Sequence, residues 1–450
     1  MREKATINGG ARGAAPAGLS AISPGVFSRQ RRATAALEGL GPTFADRSGI
    51  EGPGGGSGFG YTAVELGLSL PACAPLSVAM LEERTPLQGL KVVELARVLA
   101  GPWIGQALGD LGAEVTKVES PAGDDTRHWG PPFIEREGDQ TAAYYYSANR
   151  GKTAVIADFR KAEDRERVRT LVRDADILIE NFKVGGLKKY GLDYDSLSAL
   201  NPRLIYCSVT GFGQDGPYAH RPGYDFLIQG MSGLMSITGE PGRQPQKYGV
   251  AVTDLVSGLY GTVGILAALE QRRATGRGQH IDISLLDCAT ALLANMAMNY
   301  FASGTAPGQA GNAHQNLAPY QVFATSDGHV IVAVGNDGQF QRFCTVMGVD
   351  FATDPRFATN PDRVRNRHLL TDLLTPIVAA RGQAELLAAL EDAGVPGGPI
   401  NRIDQVFEDP QIKARGMQIA PQGVAGVRGP WKFSDAVLKL DRTAPVLPKA

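Results

Sequence analysis

Short apolar runs rich in valine and isoleucine recur from residue 90 onward: "LKVVELA", "AEVTKVE", "TAVIADF", "DILIENF" and "LIYCSVTGF". Several are separated by stretches of helical character, such as "WIGQALGDLG" and "KAEDRERVRTLVRDA". Continuous apolar strands alternating with helices predict an α/β fold whose main sheet is mostly parallel, Rossmann-like and covered on both faces. Long helices follow over 254–302, and then the composition changes. "TAPGQAGNAHQNLAPYQ" reads as a linker or active-site loop. It leads to a strand, "HVIVAVG", and to helices near 337–347, 363–381 and 383–393, while "GVPGGPIN" (394–401) reads as a Gly/Pro turn. The expected organisation is a large domain over 86–304, a smaller α+β domain over 305–412, and a return to the large domain over 413–450.

Residues 1–85 follow no such pattern. They are rich in Gly, Ala, Pro, Ser and Arg and include "EGPGGGSGFG", so the expectation is a disordered or low-complexity extension. Its arginines and scarce acids resemble a transit peptide weakly, which would place the protein in mitochondria. An upstream start codon is the simpler reading, with Met80 opening "MLEERTPLQGLKVVELA" and a cytoplasmic location.

Composition narrows the chemistry. The 450 residues carry 45 Lys+Arg against 46 Asp+Glu, a net charge of −1, which argues against a general nucleic-acid surface. Cys73, Cys207, Cys288 and Cys344 lie far apart, without metal-ligand spacing, as thiols of a reducing compartment do. No stretch is expected to reach the roughly 18–20 apolar residues that span a bilayer. The turn "ELARVLAGPW" lacks the glycine fingerprint of a dinucleotide site, which removes most of the case for nicotinamide chemistry.

"YGVAVTDLVSGLYGTVGILAALE" raises a sharper question, because Asp254 is its only charge before the final Glu270. At or next to the N-cap of an apolar helix, a carboxylate satisfies free backbone N–H groups. The same placement favours the ionised form that an oxygen nucleophile needs. The residues alone leave both roles open. The six histidines form no HxxxH or HExxH pattern, and no metal is expected. His314, in "GNAHQNLAPYQ", is a loop residue that could serve a site or simply hold the loop. "NFKVGGLKKYG" sets glycines beside Lys183, Lys188 and Lys189, either a phosphate cradle or a cationic helix start.

Taken together these segments resemble the family III coenzyme A transferases. The likeness is carried in order by "LKVVELARVLAGPW", "ANRGKTAVIADFR", "DILIENFKVGGLKKYGLDY", "NPRLIYCSVTGFGQDGP", "RPGYDFLIQGMSG", "GVAVTDLVSGLYG" and "TGRGQHIDISLLD", and it runs from about residue 86 to about 445. The resemblance makes Asp254 the nucleophile, since the family's catalytic aspartate lies in the segment matched by "GVAVTDLVSG". It places coenzyme A, a substrate and not a tightly bound cofactor, against Val98, Leu99, Ala100, Ala157, Asp158, Phe159, Arg160, Asn181, Phe182, Lys183, Lys189 and Tyr224. Lys189 stands where the family usually has a phosphate-binding arginine, so charge is kept and the bidentate fork is lost. Ser120 replaces a basic residue on the adenine side.

The same family contains alpha-methylacyl-CoA racemases, which use a histidine where this chain has Tyr224. A neutral phenol, with a reference pKa of about 10, is a poor proton shuttle near neutral pH. The resemblance therefore implies a transferase, with the racemase and a non-catalytic CoA-binding protein as alternatives. "DDTRHWGPPF" and "AVGNDGQF" look most like the enzymes that move CoA from succinyl-CoA to dicarboxylates. A dicarboxylate needs a cation for its far carboxylate, and Arg127 is the candidate, unless it pairs with Asp124 or Asp125; His314 is a second candidate substrate contact. The family's interlocked homodimer is the expected assembly.

Overall fold

The computed structural model describes residues 84–449. The expectations for the N-terminal extension, and Cys73, lie outside the described residues. Six strands form the central sheet: β1 (Lys91–Glu94), β2 (Glu114–Glu119), β3 (Thr153–Ile156), β4 (Ile177–Glu180), β5 (Ile205–Thr210) and β6 (His280–Ser284). They lie in the order β3-β2-β1-β4-β5-β6, and every neighbouring pair is parallel. The order reverses between β1 and β4, and in open α/β sheets such a switch point opens a crevice at the carboxyl ends of the strands.

The apolar runs become strands because both sheet faces are buried. Alternate residues go to opposite cores. Val92, Ile177, Ile179, Ile205 and Cys207 pack in one cluster with residues of α1 (Ala100–Asp110), including Ile104 and Leu108. Val93, Leu178 and Tyr206 pack in the other, with Val168 and Val172 of α2 (Ala162–Arg173) and Leu197 of α3 (Tyr194–Leu200).

Downstream, α4 (Asp225–Met231) precedes α5 (Val252–Thr275), which crosses α1 on the first of these faces. The crossing is close because two glycines face α1. A Cβ on Gly258 would sit 2.8 Å from Trp103, and one on Gly261 would sit 2.5 Å from Ile104. At 24 residues, with an 18-residue window of mean hydropathy 1.5, α5 is long and apolar enough to cross a bilayer by length and composition, contrary to the sequence expectation. Its charges are Asp254 in the first turn and Glu270, Arg272 and Arg273 in the last two turns. One side of it packs on the sheet through Ile265, Ala268 and Leu269. Gly276 ends it with φ +72 and returns its N–H to the Arg272 carbonyl, a left-handed cap that glycine supplies without strain.

A second core lies beyond residue 320. Strands β7 (Tyr320–Ala324), β8 (His329–Ala333) and β9 (Gly397–Pro399) form an antiparallel sheet in the order β9-β8-β7. Val330, Val332, Phe340, Phe343, Leu370, Leu374, Leu386 and Leu390 fill the space beneath it. Two sequence expectations shift here. The helix expected over 363–381 is two helices, Asn360–Arg365 and Arg367–Ala379, and the expected Gly/Pro turn contains β9. Gly397 can join the sheet because a Cβ there would meet the Ile331 carbonyl oxygen at 3.2 Å and Leu390 at 2.9 Å. An edge position with glycine and proline is where such a strand is tolerated. The final segment runs back along the first sheet: the Lys439 N–H bonds the Asp110 carbonyl at 2.8 Å, and the Gly151 N–H bonds that of Thr443 at 3.2 Å.

Candidate active site

The loops after β1, β4 and β5 converge where the strand order switches. After β1 the chain enters α1 through Arg97, Val98 and Leu99; after β4 it runs through Asn181, Phe182 and Lys183. These loops are laced together, the Arg97 N–H donating to Asn181 Oδ1 at 2.9 Å and Asn181 Nδ2 donating back to the Arg97 carbonyl at 2.6 Å. After β5, Gly211 brings in the segment that leads to α4. A Cβ on Gly211 would lie 2.5 Å from Gly223 Cα, so two backbones touch where neither tolerates a side chain.

The space between these segments is a cavity of about 460 Å³. Val98, Leu99, Ala100, Asn181, Phe182, Lys183, Lys189 and Tyr224 all line it, and so does Asp254. A second cavity of about 400 Å³ is lined by Ala157, Asp158, Phe159 and Arg160, the segment after β3, and by Ser120. Arg97, Phe182 and Tyr190 line both, so the two form one bent groove. All twelve residues expected against coenzyme A thus lie on its walls. At the second cavity three aromatic rings cluster: Phe159 lies 6.1 Å from Phe182 and 5.8 Å from Tyr190. Flat, apolar walls of this kind suit a planar base.

Asp254 is not the helix cap. Ala251 occupies that position without a side-chain bond, and Asp254 is the third residue of α5. The acceptor at the helix start is Asp225, whose Oδ1 takes the Thr253 N–H at 2.8 Å and the Thr253 hydroxyl at 2.7 Å. Among the described residues no group donates to the Asp254 carboxylate. Burial, with a smaller push from Asp225, moves its pKa up to about 7 from the ordinary 3.8. The expectation that helix-end N–H groups hold it ionised is therefore corrected. Desolvation of the charged form wins over a helix end that bonds another residue.

Two expected substrate contacts lie elsewhere. Arg127 is 2% exposed and lines neither cavity. It forks onto Glu119, with Nε to Oε2 at 2.8 Å and Nη2 to Oε1 at 2.7 Å, and bonds the Tyr145 hydroxyl at 2.7 Å. Neither aspartate considered as its partner takes it: Asp124 pairs with Lys117 and Asp125 with Arg97, each at 3.0 Å. His314 also stays off both cavities, its Nδ1 accepting the Asn316 N–H at 3.0 Å and its ring set 5.1 Å from that of Tyr320. A polar side chain near a site in sequence is captured by whatever charge the fold buries beside it.

Residues that sequence reasoning passed over supply the groove's remaining charge. Arg97, Asp125 and Arg221 line the first cavity. Arg97 lies 5.8 Å over the Phe182 ring and pairs with Asp125, whereas Arg221 rests 4.5 Å from the Tyr218 ring centroid. Lys183, Lys189 and Arg221 form no ion pair among the described residues. Arg97 and Arg221 open the segments "RVLAG" and "RPGYDF", but nothing local distinguishes a site-facing arginine from a solvated one.

Residues 87–449 match the model of CoA-transferase family III. The chain is 52% identical over 377 residues to succinate–glutarate CoA-transferase of Agrobacterium fabrum, covering 82% of this chain and 94% of that protein. It is 39% identical over 369 residues to human succinyl-CoA:glutarate CoA-transferase, covering 80% and 83% respectively. Among solved structures it is similar to a CaiB/BaiF family protein from Brucella suis, with 61% identity, a TM-score of 0.75, and coverage of 81% of this chain and 97% of that one.

Proposed function

The chain belongs to CoA-transferase family III and is an enzyme of the CoA-transferase type; from that premise we propose that it moves CoA from succinyl-CoA to a short-chain dicarboxylic or hydroxy acid. The observation that carries the reading is Asp254, a carboxylate with no donor among the described residues, standing in the wall of a groove whose other walls carry lysine, arginine and clustered aromatic rings. The two relatives above are named for succinate or succinyl-CoA with glutarate, which supports a dicarboxylate acceptor. The cations Lys183, Lys189 and Arg221 supply charge for coenzyme A phosphates and for a far carboxylate.

The proposed chemistry is covalent and ping-pong. An Asp254 oxygen attacks the thioester carbonyl carbon, the C–S bond breaks, and CoA thiolate leaves behind a mixed anhydride. The thiolate then attacks the Asp254 carbonyl carbon, the donor acid departs as its carboxylate, and an aspartyl-CoA thioester remains. The acceptor carboxylate attacks that thioester, releasing thiolate and forming a new anhydride. Attack of the thiolate on the acceptor's acyl carbon gives the product and restores Asp254. Both intermediates keep their acyl-transfer potential only while water is excluded, and a partly desolvated carboxylate is the more reactive nucleophile. CoA enters and leaves as a substrate.

A homodimer is part of the proposal. Val263 and Met298 are both 62% exposed, and Phe301 is 71% exposed, a concentration of apolar surface on the helices at 252–303 that fits burial by a second chain.

The test is exchange of radiolabelled succinate into succinyl-CoA by wild type and by Asp254→Asn, with intact-protein mass spectrometry of enzyme mixed with its donor. The expected result is exchange only in the wild type, together with a CoA adduct that hydroxylamine removes. Undiminished exchange by an Asn variant shown free of deamidation would overturn the mechanism.

A further inference from the structure

Val98 has a strained backbone. Its φ is +70°, and of the four non-glycine residues at positive φ among the described residues (Val98, Glu137, Ala294 and Gln422) it alone is β-branched. A β-branched residue in the left-handed region is a genuine outlier that persists only when its surroundings force it. The residue lies in the turn between β1 and α1 and lines the cavity that holds Asp254.

The forcing contacts are unusually rich in charge. The Val98 N–H points at both oxygens of Asp124, 3.3 Å from each. Asp124 Oδ1 also accepts the Thr126 N–H at 3.0 Å and its hydroxyl at 2.8 Å, which fixes the carboxylate plane. Behind it, Lys117 Nζ bonds Asp124 Oδ2 at 3.0 Å, Glu94 Oε1 at 3.0 Å and the Ala96 carbonyl at 2.8 Å. All three charged side chains are fully buried. Asn181 holds the Arg97 peptide from both sides, and Lys152 Nζ bonds the Pro102 carbonyl at 2.8 Å. Every residue from Ala96 to Val98 is thus tied to a side chain from another element.

Burying charge is expensive, and an apolar replacement of similar volume is often at least as stable. Here burial acts against both charges, yet Glu94 first and Asp124 second leave the Lys117 pKa raised, while Lys117 and the two Thr126 donors leave that of Asp124 lowered. Both groups stay ionised, and the chain of contacts ends on one strained peptide at the cavity wall. We propose that Asp124, backed by Lys117, is a positioning residue that pins Val98 in its left-handed conformation and so fixes the turn presenting Val98, Leu99 and Ala100 to the substrate. The role acts through backbone geometry, and Asp124 itself lines neither cavity. It rests on reading that cavity as the acyl-CoA site.

A double-mutant cycle tests this. Asn at 124 offers one acceptor oxygen where Asp124 uses two, and its amide protons would face Lys117 or the Val98 N–H. Glycine at 98 adopts positive φ without being forced. In the wild-type background, Asp124→Asn is expected to lower kcat/KM for succinyl-CoA by about 20-fold; in a Val98→Gly background the same change is expected to cost less than about 4-fold. A merely structural role for Asp124 would give equal losses in the two backgrounds, and that result overturns the proposal, as does a loss under about 3-fold in the wild type. If Asp124→Asn alone does not fold, a folded, active double variant supports the role and an unfolded or inactive one refutes it. The function itself is checked separately, because a wild type that fails to exchange succinate with succinyl-CoA defeats the transferase reading. A wild type that exchanges, beside an Asp124→Asn variant that is unaffected, defeats only the positioning role.

Discussion

Replacing Asp254 with Asn should make the protein more stable while removing its chemistry. The carboxyl pKa of about 7 in the folded chain, against an ordinary 3.8, means that the folded state holds a proton the unfolded state has already lost. Between those values the folded state binds more protons, so stability falls as pH rises from about 4 to about 7 and then stays at the lower level. Three pKa units correspond to about 4 kcal/mol. Asp254 is only half-buried, and solvent screening reduces the expected figure to about 2 kcal/mol. An Asn of the same shape does not titrate. Urea unfolding at pH 8 should therefore show the Asn variant more stable by about 2 kcal/mol, and at pH 4 the gap should shrink to less than about half of that. The same ionisation should give kcat/KM an acid limb near pH 7, rising with pH as the nucleophile loses its proton. An Asn variant no more stable than wild type at pH 8, or a gap that ignores pH, would refute the account. Such a result would mean that the carboxylate finds donors that the folded chain does not offer it.

Three further outcomes follow from the geometry. Arg127→Met should leave Glu119 buried without its cation, costing about 3–5 kcal/mol in denaturant unfolding, while the KM for a dicarboxylate acceptor in the folded fraction stays the same; a selective rise in that KM would restore Arg127 to the substrate. Gly261→Val should drive a side chain into Ile104, where a Cβ already has only 2.5 Å, and should lower stability by about 1–3 kcal/mol by overpacking, which equilibrium unfolding would detect. Arg221→Gln should raise the KM for dicarboxylate acceptors by about 10-fold or more, the worth of a charge-assisted hydrogen bond, but should leave monocarboxylate acceptors little changed; equal effects on both classes would remove Arg221 from far-carboxylate recognition.

The sequence by itself determined the sheet and the neighbourhood of the chemistry. Runs such as "DILIENF" are apolar at consecutive positions because both faces of a parallel sheet are covered, and that pattern can be seen without knowing which strand is the neighbour. The family resemblance carried by the segments around those runs placed Val98, Asn181 and Lys183 against coenzyme A, and Asp254 stood out as a charge on an apolar helix. Tertiary structure decided the rest. It joined β1 to both β2 and β4, turned Gly397–Pro399 into an edge strand, and buried Arg127 against Glu119 instead of leaving it to the groove. It also reversed the electrostatics of Asp254: a helix start lowers a carboxylate's pKa, but here the free N–H beside it is taken by Asp225 and desolvation prevails. Periodicity records how much of each residue meets water, a local property. The partner of a charge depends on which distant segment arrives beside it, and only the folded chain holds that information.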